Sequence, residues 1–267
     1  MIGVFGQTRD EVATLLNNVT INQTRNISNM TIYNVTYNGN TFYVIVTGVG
    51  KANAAFAMSY AIFKLCIKKA IVVGNAASFN ETDNPIGSVA IATNSLEWDV
   101  DFTALGADEF VLPPNIVGEY PVDVKLQKEA LNAANGLGYQ VDIGLFASGD
   151  TFVDTATEAT TIQTETEAEF LDIDTAAIGQ ISYQTNIPYI SVKGISNYPN
   201  DTAVIDYNTN KEAANNLSNR VVLEMLDTLF EQEENYCPNQ NMNLTISYPC
   251  NRCYNNLNIG FGRYPFF

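Results

Sequence analysis

The side chains able to do chemistry in this chain are carboxylates, amides and a few lysines, because histidine is absent altogether. That absence removes the usual general base near neutral pH, the commonest metal ligand and every Ser-His or Cys-His mechanism. The promising positions are Glu11 in the first turn of the opening helix, the alternating pair Asp172 and Asp174, and the run Lys193-Gly194-Ile195-Ser196-Asn197. The last run follows Ile187-Pro188-Tyr189-Ile190-Ser191-Val192, a β-branched and aromatic segment that reads as a buried strand. Asn197 then stands at a strand's carboxyl end, which in an open α/β sheet faces the ligand crevice. An asparagine there can hydrogen-bond to a substrate but has no titratable proton to deliver. Each position also has a plainer reading. Glu11 suits the positive end of a helix, Phe152 can be a core aromatic, and Asp172 and Asp174 alternate with Leu171 and Ile173 as in any half-buried strand.

The elements that must position these residues alternate between strand and helix. A strand over Met1–Gly6 leads into a helix over Arg9–Asn17, and a hairpin over Met30–Tyr37 and Thr41–Thr47 turns at Asn38-Gly39. The glycine turn Gly48-Val49-Gly50 enters a helix over Ala52–Lys68, followed by strands over Ala70–Gly74 and Ser88–Leu96 and a long loop through Pro113-Pro114. Helices over Val122–Asn135, Asp154–Thr166, Thr175–Gln184 and Lys211–Glu233 then alternate with strands over Val141–Ala147, Ala168–Ile173 and Pro188–Ile195. This order predicts one three-layer α/β/α domain over residues 1–233 with a mixed, mostly parallel twisted sheet. A Cys- and aromatic-containing extension over residues 234–267 lies outside it.

Successive blocks of the chain resemble the nucleoside phosphorylase superfamily in order. They are Met1-Ile2-Gly3-Val4-Phe5-Gly6 with Asp10-Glu11-Val12, Gly48-Val49-Gly50-Lys51, Val72-Val73-Gly74-Asn75-Ala76-Ala77 and Ile86-Gly87-Ser88-Val89. Asp99-Val100-Asp101-Phe102-Thr103-Ala104-Leu105-Gly106, Ala147-Ser148-Gly149-Asp150-Thr151-Phe152-Val153, Leu171-Asp172-Ile173-Asp174 and Gly194-Ile195-Ser196-Asn197 continue the series. The branch most similar is the methylthioadenosine/S-adenosylhomocysteine nucleosidases. The resemblance implies cleavage of a purine–ribose bond through an oxocarbenium-like transition state, with the base protonated at N7 and water or phosphate attacking the anomeric carbon. It places Glu11 where a carboxylate activates water and Phe152 where an aromatic stacks on the base. It also places Asn75, Ile173, Asp174, Lys193 and Ser196 around the substrate.

The chain departs from the family pattern at several of these positions. Asn197 stands where an acid usually protonates the base, Asp174 where a glutamate clamps the ribose hydroxyls, and Ile173 where a methionine packs on the ribose. Asn75 stands where a small hydroxyl is common, and Lys193 where an arginine is. Loss of the acid removes about two to four orders of magnitude in rate. The joint change predicts a catalytically impaired protein that keeps the fold as an assembly subunit or nucleoside-binding module. An active purine nucleosidase is the alternative. Only Lys193 and Arg9 are available to hold phosphate, so water is the expected nucleophile, and no cofactor is expected.

Composition constrains the partners. The net charge of −16 argues against nucleic acid and anionic membranes, and no apolar run reaches the roughly 18 residues of a membrane span. N-glycosylation sequons occur at Asn18, Asn22, Asn26, Asn29, Asn34, Asn80, Asn200, Asn216 and Asn243. Their crowding over Asn18–Asn34 predicts a glycan-coated surface loop on an extracellular or surface protein, with a cytoplasmic location as the alternative. Cys237, Cys250 and Cys253 are then disulfide candidates, in agreement with the sequons, with free thiols, a redox-active Cys250-X-X-Cys253 or half of a zinc site as the alternatives. The terminal Tyr264-Pro265-Phe266-Phe267 either folds back on its own domain or docks on a second copy, a contact that builds homo-oligomers or filaments.

Overall fold

The computed structural model describes residues 1–114 and 117–235, with side chains through residue 231. Among these residues eleven strands form one sheet. They are β1 (Ile2–Gly6), β2 (Thr20–Ile27), β3 (Met30–Tyr37), β4 (Asn40–Val46), β5 (Lys69–Val72), β6 (Asn75–Ser78), β7 (Val89–Glu97), β8 (Glu119–Pro121), β9 (Val141–Ser148), β10 (Phe170–Asp172) and β11 (Tyr189–Asn197). Six α-helices accompany them: α1 (Ala13–Asn17), α2 (Lys51–Leu65), α3 (Val124–Gly136), α4 (Ala156–Thr166), α5 (Thr175–Thr185) and α6 (Ala203–Asn235). Strand order is β2-β3-β4-β1-β5-β11-β6-β10-β9-β7-β8. The sheet is mixed, parallel through β4-β1-β5-β11-β6 and between β10, β9 and β7.

The hydrophobic runs that predicted buried strands account for the centre of this sheet. Every residue of β1 and β11 is buried, as are Ala70 to Val73, because helices cover both faces. On one side α2 packs on α5, and on the other α1 and α3 pack on α6, which gives the three layers. β11 is long enough to pair parallel with β5 and β6 and antiparallel with β7. Half of the sheet thereby curls into a ring, β11-β6-β10-β9-β7 and back to β11.

Several elements differ from the sequence reading. The opening helix is a 3-10 turn over Asp10–Val12 followed by the five-residue α1. The Asn-rich stretch expected as a surface loop contains β2, paired antiparallel with β3 at the sheet edge. All but one of its residues are exposed, so it carries no apolar face for periodicity to reveal. The short strands β6 and β8 were not anticipated, because three- and four-residue strands leave too little pattern. The Asn38-Gly39 turn is present with both residues in the left-handed region (φ 46 and 83), joining β3 to β4. α6 begins eight residues earlier than predicted, at Ala203.

Candidate active site

A cleft of about 120 Å³, open to solvent, lies over the carboxyl ends of β1, β10 and β11. Its floor is the β1–α1 turn, which supplies Gln7, Thr8 and Glu11, and β6, which supplies Asn75, Ala76 and Ala77. Phe152 and Val153 follow β9, Asp172 ends β10 with Ile173 just after it, Asn197 ends β11, and Tyr207 reaches in from α6.

Glu11 is buried at the floor, and its Oε2 accepts a hydrogen bond from Gln7 N at 2.7 Å. Burial pushes the Glu11 carboxyl above the usual glutamate range, against the pull of the Lys193 ammonium. Gly74 makes the room it occupies. A Cβ at that residue, whose φ is 129°, would lie 2.7 Å from Glu11 Oε2.

Asn197 owes its direction to a β-bulge. The register of β11 against β6 shifts between Ile195 and Asn197, so Ser196 is the extra residue and the chain twists at the cavity wall. Ser196 Oγ donates to Asn197 Oδ1 at 2.7 Å, which leaves the amide N–H₂ as the group available to a ligand, with Tyr198 O 3.4 Å away. Asn75 Nδ2 donates to Asn215 Oδ1 at 2.9 Å. Phe152 is 43% exposed and meets Tyr207 edge to face, ring centroids 5.5 Å apart, forming an aromatic rim.

The structure separates the two aspartates that alternation had grouped. β10 stops at Asp172, so Ile173 turns into the cavity beside it and Asp174 becomes the first flank of α5. Asp174 and Lys193 are fully buried and lie outside the cavity lining. Lys193 Nζ donates to Asp174 Oδ1 at 2.7 Å and to Val73 O at 3.0 Å, with Asp172 Oδ2 at 3.6 Å. Asp172 is fixed in addition by Ser148 Oγ at 2.6 Å and by Thr175 Oγ1. Burial opposes the Lys193 charge, but Asp174, Asp172 and Glu11 outweigh it and hold the ammonium above the usual lysine range. Three carboxylates share this one cation. Burial raises Asp174 to about 7, with Lys193 opposing and Asp172 and Glu11 adding.

Of the residues singled out in the sequence, Glu11, Asn75, Phe152, Ile173 and Asn197 meet at the cavity, with Ser196 immediately behind Asn197. Lys193 and Asp174 form the charge layer beneath. Sequence reasoning missed Tyr207, which precedes the predicted start of α6, and it grouped Asp172 with Asp174, which alternation alone cannot distinguish. Asn18, Asn22, Asn26 and Asn29 are exposed, and Asn34, Asn80, Asn200 and Asn216 are half-buried. Asn22 Nδ2 bonds Asn34 Oδ1 at 3.0 Å, which ties two sequons together across β2 and β3. Asn243, Cys237, Cys250, Cys253 and the terminal aromatics lie outside the described residues. Among the described residues no helix is long and apolar enough to cross a membrane.

Comparison with known proteins agrees with this fold. The phosphorylase superfamily model matches residues 1–227. The 5'-methylthioadenosine/S-adenosylhomocysteine nucleosidase of Staphylococcus haemolyticus is 27% identical over 230 residues, 86% of this chain and 100% of that protein. The corresponding nucleosidase of Buchnera aphidicola is 29% identical over 88% of this chain and 92% of its own length. Among solved structures, the Neisseria meningitidis nucleosidase in complex with methylthio-immucillin-A superposes with a TM-score of 0.82 at 25% identity, covering 85% of this chain and 98% of that one. A family match over this much of the sequence, on a fold of the same architecture, places the chain in the phosphorylase superfamily.

Proposed function

We propose that this protein binds a purine nucleoside in the cleft and hydrolyses its N-glycosidic bond slowly. The observation that carries the reading is Glu11, a buried carboxylate of raised basicity on the cavity floor, with an aromatic and an amide on the opposing walls. The purine lies against Phe152, with its N7 lone pair accepting from the Asn197 amide. Glu11 takes a proton from the water that attacks the anomeric carbon, and the electron pair of the C–N bond leaves with the base. Asn197 stabilises the base without protonating it, so the proton on the departing purine comes from solvent. Water is preferred over phosphate because no lysine or arginine lines the cleft among the described residues. Lys193 is sealed in its carboxylate layer, and Arg9 Nη1 donates to Tyr33 Oη at 3.1 Å.

The test is release of adenine from methylthioadenosine, or hypoxanthine from inosine, with and without phosphate. A median enzyme rate of about 10 s⁻¹, reduced by about 10²–10⁴ for the missing acid, gives about 10⁻³–10⁻¹ s⁻¹. Phosphate should not change it. Release no faster than from a Glu11→Gln variant overturns the proposal.

A second reading is favoured by Asn197 itself, which has no proton to give. In it the chain retains a nucleoside without turnover and serves as a subunit of a surface or extracellular assembly. The exposed sequons of β2 support that placement, and the extension over residues 234–267 would make the contacts between copies. Saturable nucleoside binding with no base release, together with occupied glycans over Asn18–Asn34, would favour it.

A further inference from the structure

α6 crosses the sheet against β11, where Gly194 permits close approach. A Cβ there would sit 2.1 Å from Ala214 O. From this helix three buried polar side chains reach the segments that carry the cavity. Asn215 Oδ1 accepts from Asn75 Nδ2 at 2.9 Å, and Ser218 Oγ accepts from Gly74 N at 3.3 Å. Asn219, fully buried, makes two bonds to the β1–α1 turn: its Oδ1 accepts from Leu15 N at 3.0 Å, and its Nδ2 donates to Glu11 O at 2.7 Å. The junction between the 3-10 turn and α1 leaves backbone donors and acceptors without helical partners. The Asn219 amide satisfies one of each from more than two hundred residues away.

We infer that Asn219 is a positioning residue for Glu11. Its amide fixes the main chain of Glu11, Gln7 N fixes the carboxylate, and the bare Cα of Gly74 sets how far the side chain can move. The catalytic consequence rests on the role proposed above for Glu11, whereas the positioning itself can be read without turnover. The charged and titratable groups facing Glu11 are Lys193 from β11, Asp172 from β10, Asp174 at the start of α5, and Tyr207 from α6, with Asp10 beside it in the same turn. None of them is altered by changing Asn219.

The experiment follows the Glu11 carboxyl by carbon-13 NMR in the full chain labelled at glutamate, the resonance being assigned by its loss in Glu11→Gln. Asn219→Ala should lower the Glu11 titration midpoint by at least about half a pH unit, because burial is the main force holding it up and a loosened turn admits water. Asn219→Ser, which can still make one of the two bonds, should give a smaller shift of the same sign. Leu226→Ala, a cavity-forming change in the core face of α6, should leave the midpoint where it is. In base release, Asn219→Ala should lower kcat by about ten-fold with KM nearly unchanged. An unmoved Glu11 midpoint in Asn219→Ala, or an equal shift in Leu226→Ala, overturns the inference. If Asn219→Ala does not fold, the serine variant decides by the same criterion. If the unsubstituted chain releases no base, the proposed function fails and the NMR titration still decides this point.

Discussion

Asn197→Asp would place an acid where the proposed reaction lacks one. The side chain at this position is only 4% exposed, and one of its terminal atoms accepts from Ser196 Oγ at 2.7 Å while the other faces Tyr198 O at 3.4 Å. In an aspartate, burial and the facing carbonyl both favour the neutral acid, whereas the Ser196 hydroxyl favours the carboxylate. A positioned acid contributes about 10²–10⁴ in rate, or about 2.7–5.4 kcal/mol at 1.36 kcal/mol per factor of ten. The serine bond leaves only part of the population protonated at pH 7, so the low end applies there, about 10² in kcat/KM. The gain should grow as the pH falls, by up to about ten-fold per unit, until the acid is fully protonated. Chromatographic measurement of adenine released from methylthioadenosine between about pH 5 and 8 reads both the gain and its slope. Asn197→Ala in parallel should weaken adenine binding by about 1–2 kcal/mol through the lost hydrogen bond. A change below about three-fold for Asn197→Asp across that range, far short of what a positioned acid supplies, would refute the placement of the purine N7 at Asn197.

Three further outcomes follow from the charges around Glu11. Hydrolysis should fail on the acid side at a pH above the usual glutamate range, because burial keeps Glu11 protonated there, and Glu11→Gln should lose at least about 10² in kcat. Lys193→Met should destabilise by about 3–5 kcal/mol, since it strands buried carboxylates. At about 2–4 °C per kcal/mol for a domain of this size, calorimetry should show Tm lower by about 6–20 °C, and less in the double variant with Asp174→Asn. Asp174 has its folded-state pKa raised from 3.8 to about 7, so its contribution to stability is present below about pH 4 and lost as pH rises through about 7. Tm should therefore fall more steeply between about pH 5 and 8 in the unsubstituted chain than in Asp174→Asn.

How much of this was legible in the sequence depended on the range over which each feature is encoded. The apolar runs at Met1–Gly6, Ala70–Gly74 and Pro188–Ile195 identified the buried strands of the sheet, because a strand covered on both faces must be apolar throughout. The Asn38-Gly39 pair identified its hairpin, because only certain residues tolerate two left-handed conformations in succession. The ordered motifs grouped Glu11, Asn75, Phe152, Ile173 and Asn197, and the cavity contains all five.

What the sequence could not contain was decided by contacts between distant segments. β2 is a strand because β3 pairs with it, since all of its residues but Ile27 are exposed. Asp172 and Asp174 have the same chemistry and the spacing of one strand face, and both lie near Lys193, yet the end of β10 leaves only Asp172 lining the cavity. Tyr207 and Asn219 serve the site only because Gly194 lets α6 lie close against β11, carrying one helix past both the rim and the floor. Local composition fixes which residues can be buried and which can turn. The partners of a buried charge or amide are chosen by tertiary packing, because desolvated polar groups are stable only where the fold brings a complementary group within hydrogen-bonding distance.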